Sequence, residues 1–402
     1  MKRFLAIVFA ASVISTAAFS KNFFSQRFFE IRTGAEAGFS NNLFALNDFM
    51  REDLVIDLNK IADECPEDGW DIRAGAAPSV AVNLNIKDFH LGFSSGMEMY
   101  STTSVGKDLF DFLGYGNKVG ETLEFKYQND TDVFSYAQMD LGFRVGKFKI
   151  KAQPAVFLPV ISIRGGGGKV TVLNDSDGNL SVGMDLNLNV YSVMDLKSED
   201  DNVMFDFDKI GEALLSGYGF DMGGGVSYDL TKNLVLGATC HFPIVPGFLN
   251  HKATVTGGFD YNMKLTDFEQ SEKTTRDTEV KNEDAHLAIN RPMKFGLYLD
   301  KKILGGLFNA KASGGLGISR PFTEDAVFYP EYYFGFGLNL IDIFKIGVST
   351  EYKDQIFIHQ LGTTINVRFF QLDVGASTQA SNFLKSMAFA GMGGYAYVTV
   401  GF

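Results

Sequence analysis

The chain has 402 residues, a formal net charge of −12, and 46% hydrophobic and 21% charged residues. That charge disfavours a nucleic-acid partner. Two cysteines far apart in sequence, Cys65 and Cys240, exclude a disulfide scaffold and leave room for a single bridge.

The chain opens MKRFLAIVFAASVISTAAFS. Lys2 and Arg3 form a short positive region and Phe4 to Thr16 an apolar stretch below the roughly 20 residues a membrane helix needs. Ala18 and Ser20 are the small residues a signal peptidase reads. The pattern predicts a Sec signal peptide over 1–20 and a single exported domain over 21–402. No later apolar run is long enough for a membrane helix.

The rest of the chain is dominated by period two. Tyr332, Phe334, Phe336, Leu338 and Leu340 fall on one strand face, and Glu331, Tyr333, Gly335, Gly337 and Asn339 on the other. Phe344, Ile346, Val348 and Thr350 oppose Lys345, Gly347, Ser349 and Glu351 in the next segment. The same alternation recurs in Met139–Val145, Val182–Val190, Met293–Leu299 and Phe370–Ala376. Strands are predicted over 31–40, 72–85, 88–100, 133–145, 147–162, 180–193, 217–229, 233–242, 252–266, 283–300, 306–319, 329–340, 343–353, 356–367, 369–378 and 389–402. Tight connections are read at Lys87-Asp88, Gly146-Lys147, Ile341-Asp342 and Arg368-Phe369. The turn at Asp229 to Asn233 is equally tight but falls on the opposite side by this count.

A soluble β-sandwich also alternates. Strand lengths near nine to eleven residues, and aromatics near strand ends at Tyr100, Tyr228, Tyr332, Tyr352 and Phe402, favour a wall in lipid. The fold expected is all-β: a transmembrane antiparallel β-barrel of 14–16 strands in the bacterial outer membrane. Its natural partners are outer-membrane lipid and the barrel-assembly machinery. The last strand puts Val398, Val400 and Phe402 on the lipid face and resembles the signal that machinery reads.

Helical inserts are expected in two connections, 41–71 and 196–216. Leu46 to Glu64 and Asn202 to Ser216 carry helical spacing, and Lys107 to Leu113 a shorter turn. Gln270 to Asp284, QSEKTTRDTEVKNED, reads as a solvated loop.

Other motifs dissolve on inspection. GGGGK at Gly165 to Lys169 lacks the following Ser or Thr and helix of a phosphate loop. DSDGN at Asp175 to Asn179 lacks a later bidentate acid for calcium and reads as a turn with Gly178 left-handed. His90, His241, His251, His286 and His359 form no metal pair at short spacing. No metal, cofactor or catalytic residue is predicted, and the chain reads as a non-enzyme. In FKIKAQPAVFLPVISIRGGGG, Pro154 and Pro159 cannot donate to a ladder, and Gly165, Gly166, Gly167 and Gly168 follow. The segment is read either as a candidate lateral gate or as a strand ending early in a Gly-rich loop.

The signal peptide, the strand count, the early insert, the Pro154 to Gly168 segment and the hairpin GFDMGGGVSYDLTKNLVLGATC together resemble outer-membrane barrels of the long-chain fatty acid transporter superfamily. The resemblance covers most of the chain. It implies a channel or transporter for hydrophobic small molecules such as long-chain fatty acids. Those transporters carry an N-terminal hatch, whereas only KNFFSQRFFE precedes the first strand here, so no ligand residue is carried over. Two other readings stand beside it: a non-transporting surface barrel, adhesin or structural, and a general porin.

Overall fold

The computed structural model describes residues 27–45, 56–199, 202–206, 216–264, 267–340 and 343–402. The expected signal peptide lies outside these residues. In chain order the strands are β1 (Phe29–Asn41), β2 (Trp70–Ile86), β3 (Phe89–Val105), β4 (Thr122–Val145), β5 (Phe148–Asn174), β6 (Asn179–Ser192), β7 (Leu196–Glu199), β8 (Asn202–Phe205), β9 (Gly219–Thr231) and β10 (Leu234–Val245). They continue with β11 (Gly247–Lys264), β12 (Asp267–Ile289), β13 (Met293–Ile303), β14 (Phe308–Ser319), β15 (Val327–Leu340), β16 (Phe344–Lys353), β17 (Ile356–Val367), β18 (Phe370–Ala380) and β19 (Met392–Gly401).

Fourteen of them close an antiparallel barrel. The wall runs β1 to β5, then β9, β10, β13 and on to β19, which pairs back onto β1. Closure leaves no free edge within the wall. The alternation read from the sequence holds around it. Phe334, Phe336, Val348, Leu361, Val374 and Val400 are exposed on the outer face, while Glu351, Asp373, Ser377, Tyr397 and Thr399 are buried on the inner one. Burial of polar side chains with apolar ones exposed is the signature of a wall solvated by hydrocarbon.

Fourteen crossings fall within the expected 14–16, and two of the sixteen segments read as strands lie outside the wall for a definite reason. β6 and β11 match the predicted strands 180–193 and 252–266, but neither crosses the wall. β6 pairs with the upper half of β5, β11 pairs with β6, and β12 pairs with β11. Together with the upper parts of β3 and β4 they make a sheet standing above the barrel. The predicted strand 283–300 is two strands, β12 and β13, broken at Asn290–Pro292. With those two crossings removed, the β9–β10 turn at Lys232–Asn233 joins the other tight turns at one end. Short turns at one end and long connections at the other is the usual membrane-barrel asymmetry.

The inserts also differ in part. Residues 46–55 lie outside the described residues, and a helix α1 (Leu58–Glu64) follows, capped by Asp57, whose side chain accepts from Lys60 N–H at 3.0 Å. Helix α2 (Lys107–Tyr115) confirms the shorter turn. The two pack together at the rim over a cluster of Leu43, Ala62, Cys65 and Phe110. Of the helix expected over Asn202 to Ser216, the first residues, Asn202–Phe205, are strand β8, which pairs with β7 in a two-stranded hairpin, and residues 207–215 lie outside the described residues. The charged stretch from Gln270 is not a loop but part of β12, paired with β11 and solvent-exposed along most of its length. Of the aromatics read as a girdle, Tyr100 points inward to Glu98, whereas Tyr332 and Tyr352 stack outside at 5.8 Å and Phe402 is exposed.

Candidate functional site at the partner switch of the wall

The Pro154–Gly168 segment lies wholly within β5, so the strand does not end early. What changes along it is its partner. Residues Phe148–Phe157 pair with β9, and from Ile161 onward the same edge pairs with β6. The β4 edge is irregular over the same stretch. Pairing lapses across Gln153 and Pro154, slips by one residue beside Pro159, and bulges at Gly165, where φ is +54°. The two prolines and the first glycine of the run thus fall at these three irregularities. Gly166, Gly167 and Gly168 pair with Asn129, Gln128 and Tyr127 of β4.

An apolar cluster fills the switch. Phe134, Phe157, Leu158, Val193, Met194, Leu249 and Ile289 are buried together, with Tyr100 and Tyr136 against them. Phe157 and Leu158 are consecutive on a strand, so they point to opposite faces, and both are buried. The cluster therefore runs through the wall rather than lining one side. Close approach shapes it: a Cβ on Gly219 would meet the Phe157 ring, and one on Gly247 would meet Pro159. Burying each of these large side chains contributes about 1.5–3 kcal/mol.

Beside the cluster, on the lumen side, lies an ion-pair network. Arg291 sits in the break between β12 and β13. Its Nε donates to Glu98 Oε2 at 3.0 Å, its Nη2 to Glu98 Oε1, and its Nη1 to Asp221 Oδ2 at 2.8 Å. Glu98 is on β3 and Asp221 on β9, with β4 and β5 between them in the wall. The guanidinium therefore bridges the inner face of those strands, 4.6 Å from the ring centre of Tyr136 on β4. His241 of β10 holds the Pro292 carbonyl through Nδ1 at 2.8 Å. A second crossing runs from Arg320, after β14, to Asp132 of β4 at 2.9 Å, where Ser162 of β5 also donates at 2.6 Å.

None of Glu98, Asp221, Arg291, His241 or Arg320 was singled out as a site residue from sequence, because each comes from a separate part of the chain. The one signal available was their occurrence at inward positions of strands or beside strand ends. Val398, Val400 and Phe402 lie along β19 at the seam with β1, and Val400 and Phe402 are exposed on the outer face. Cys65 and Cys240 are both free. Among the described residues no three His, Cys, Asp or Glu side chains are grouped to hold a metal ion. His359 stands between Thr350 and Ser386, 2.8 Å from Ser386 Oγ. Ser386 is fully buried and gives its hydroxyl proton to the Phe383 carbonyl at 2.6 Å. His359 must then donate to it, so the pair anchors the short helix α3 (Phe383–Met387) and is not set up as nucleophile and base.

The architecture can be compared with solved barrels. The toluene transporter TodX of P. putida superposes with a TM-score of 0.50 at 10% identity, over 98% of this chain and 96% of that one. A TodX deltaS2S3 mutant, described as a monoaromatic hydrocarbon channel, gives 0.50 at 11% identity over 98% and 96%. The chain shares their fold. At this identity the likeness is one of architecture, and it extends end to end. No known family profile and no curated protein matches the sequence.

Proposed function

We propose that this chain is a bacterial outer-membrane transporter of small hydrophobic molecules, long-chain fatty acids and aromatic hydrocarbons being the classes to try first. The passage leaves the barrel sideways at the partner switch of β5, through the segment that holds Pro154, Pro159, Gly165, Gly166, Gly167 and Gly168. One observation carries this reading: the apolar cluster that passes through the wall sits where β5 changes partner from β9 to β6 on one edge and slips its register against β4 on the other. An apolar molecule gains more by passing into lipid than by entering periplasmic water. Opening a wall in hydrocarbon costs several kcal/mol per unsatisfied backbone group, and prolines have already removed two donors here. That TodX, which has this architecture, is described as a toluene transporter, and its deltaS2S3 mutant as a monoaromatic hydrocarbon channel, supports the reading.

The test is a lock. Phe157 and Gly219 are register partners on β5 and β9. In a background with Cys65 and Cys240 replaced by Ser, Phe157→Cys with Gly219→Cys forms a bridge across the switch. Uptake of labelled toluene and palmitate should stop on oxidation and return on reduction. Uptake that ignores the bridge overturns the lateral path. No uptake of either probe by the unlocked protein would favour a surface barrel, a reading to which the sheet standing above the rim lends support. The charged crossings of the lumen at Arg291 and Arg320 speak against a wide aqueous porin.

A further inference from the structure

Ile289, the last residue of β12, and Arg291, in the break before β13, are two residues apart, and each occupies a different compartment of the site. Ile289 is fully buried in the apolar cluster at the switch. Arg291 is buried in the acidic lumen site formed by Glu98 and Asp221, over the Tyr136 ring. One short piece of the chain therefore presents an apolar tail and a cationic head to an apolar pocket and an acidic, aromatic-walled one.

We propose that this site is a binding site for amphiphilic cations, hydrophobic molecules carrying an amine or guanidine head, and that the Ile289–Arg291 segment occupies it as an internal stand-in. This rests on the transport reading above and narrows it from hydrophobic molecules in general to those with a positive head. Three observations lead there. Withdrawing Arg291 would leave the buried carboxylates of Glu98 and Asp221 with only the Tyr100 hydroxyl and His241 beside them, a state that is unfavourable unless another cation replaces it. A ligand carboxylate would add a third negative charge, and a neutral ligand would compensate neither. The Tyr136 face beside the guanidinium offers the attraction to a cation that an aromatic ring supplies. Finally, Asp221 is completely buried and its Oδ1 meets His241 Nε2 at 3.1 Å in a poorly aligned contact. A primary ammonium brings three N–H donors and can satisfy that oxygen together with Glu98, which the fixed fork of Arg291 does not do.

The same geometry ties binding to the wall. The Pro292 carbonyl is held by His241, and Met293 begins β13, so the downstream end of the segment is fixed. Displacing Arg291 moves the residues before it, and Ile289 leaves the cluster that fills the switch.

Ile289→Cys in a background lacking Cys65 and Cys240 reports on that movement. The purified protein in lipid nanodiscs is treated with a water-soluble maleimide, alone or with octylamine, octanoate or octanol at equal free concentration. Octylamine should raise the labelling rate of the introduced thiol several-fold, and octanoate and octanol should not. Glu98→Gln with Asp221→Asn should remove the response to octylamine. A second measurement does not depend on the cysteine: octylamine should protect Arg291→Met against heat more than it protects the native protein, because the internal competitor is gone. Equal labelling with octanol or octanoate overturns the charge selectivity, and no labelling change with any of the three overturns the site. Neither assay requires transport, so a positive result beside failed uptake would retire the transporter reading and leave the site standing.

Discussion

Phe29 and Phe402 close the barrel by exchanging two backbone hydrogen bonds. Phe29 N–H donates to the Phe402 carbonyl at 3.1 Å, Phe402 N–H donates back at 3.0 Å, and the rings lie 5.8 Å apart. The pair is the lowest rung of the β1–β19 ladder, which continues from Glu30 opposite Gly401 to Phe39 opposite Met392.

Phe402→Ala keeps both backbone bonds and removes the ring. If Val398, Val400 and Phe402 act as the recognition signal for assembly, the variant should refold in detergent nearly as the native protein does but accumulate in the outer membrane at a much lower level. Equal amounts of heat-modifiable barrel in cells expressing either protein would mean that the ring serves the seam alone.

The two faces of the wall should respond oppositely to charge. Phe336 and Val348 are cross-strand partners on the exposed outer face. Arg at either position should destabilise the folded barrel by about 2–4 kcal/mol if it sits near the bilayer midplane. Gly347→Ala, on the inner face of the same strand, meets only the Phe336 carbonyl at an ordinary 3.6 Å and should cost far less. Denaturant titration of the barrels in lipid distinguishes the two, and similar losses would contradict the assignment of faces.

No disulfide should be present in the native protein, since Cys65 and Cys240 are both free. Cys65 is buried in the rim cluster, and burial pushes its thiol above the usual range. At pH 8 it should react with iodoacetamide much more slowly than an exposed thiol, with the rate still climbing at higher pH. Mass spectrometry of the alkylated protein, folded and then denatured, gives the comparison.

The β5–β6 turn should weaken in acid. Asp175 accepts from the backbone N–H groups of Asp177 at 2.8 Å and Asn179 at 2.9 Å, and from the Asn179 side-chain amide at 2.7 Å. These bonds, with that of the Asn179 side chain the largest, hold its carboxyl below the ordinary value. A depressed carboxylate stabilises the folded turn fully above the unfolded-state value and loses that contribution as pH falls through the folded one. Amide exchange in the turn should therefore quicken below the carboxylate range in the native protein, beyond the intrinsic trend. Asp175→Ala should show the faster exchange already at neutral pH.

Much of the wall was legible because hydrocarbon outside and polar groups inside impose period two on every crossing. Phe334, Phe336 and Val348 announce their face by spacing alone. The same period misleads at β6 and β11, for alternation reports that a strand has two unlike faces and not what lies beyond them. Both strands are half-buried members of a sheet above the rim, partly covered by Val203 and Phe205 of the β7–β8 hairpin. The tight turn at Lys232–Asn233 carried the information needed to correct the count. At the candidate site, Pro154, Pro159 and the glycines stood out because they forbid or relax a ladder. Glu98, Asp221 and Arg291 did not, since long-range ion pairing leaves no local pattern in a chain.

The β6–β11 pairing has a consequence for how the protein is built. Its two strands belong to different excursions from the wall, one following β5 and the other following β10. During N- to C-terminal synthesis, β6 must wait with one edge bare while β7 to β10 are delivered. A bare strand edge invites pairing with a foreign strand, so the interval before β11 arrives is an exposed moment for the part of the chain above the barrel. Shortening the excursion after β10 would make that moment permanent, and the expected product is an aggregating or strand-swapped protein rather than a trimmed barrel.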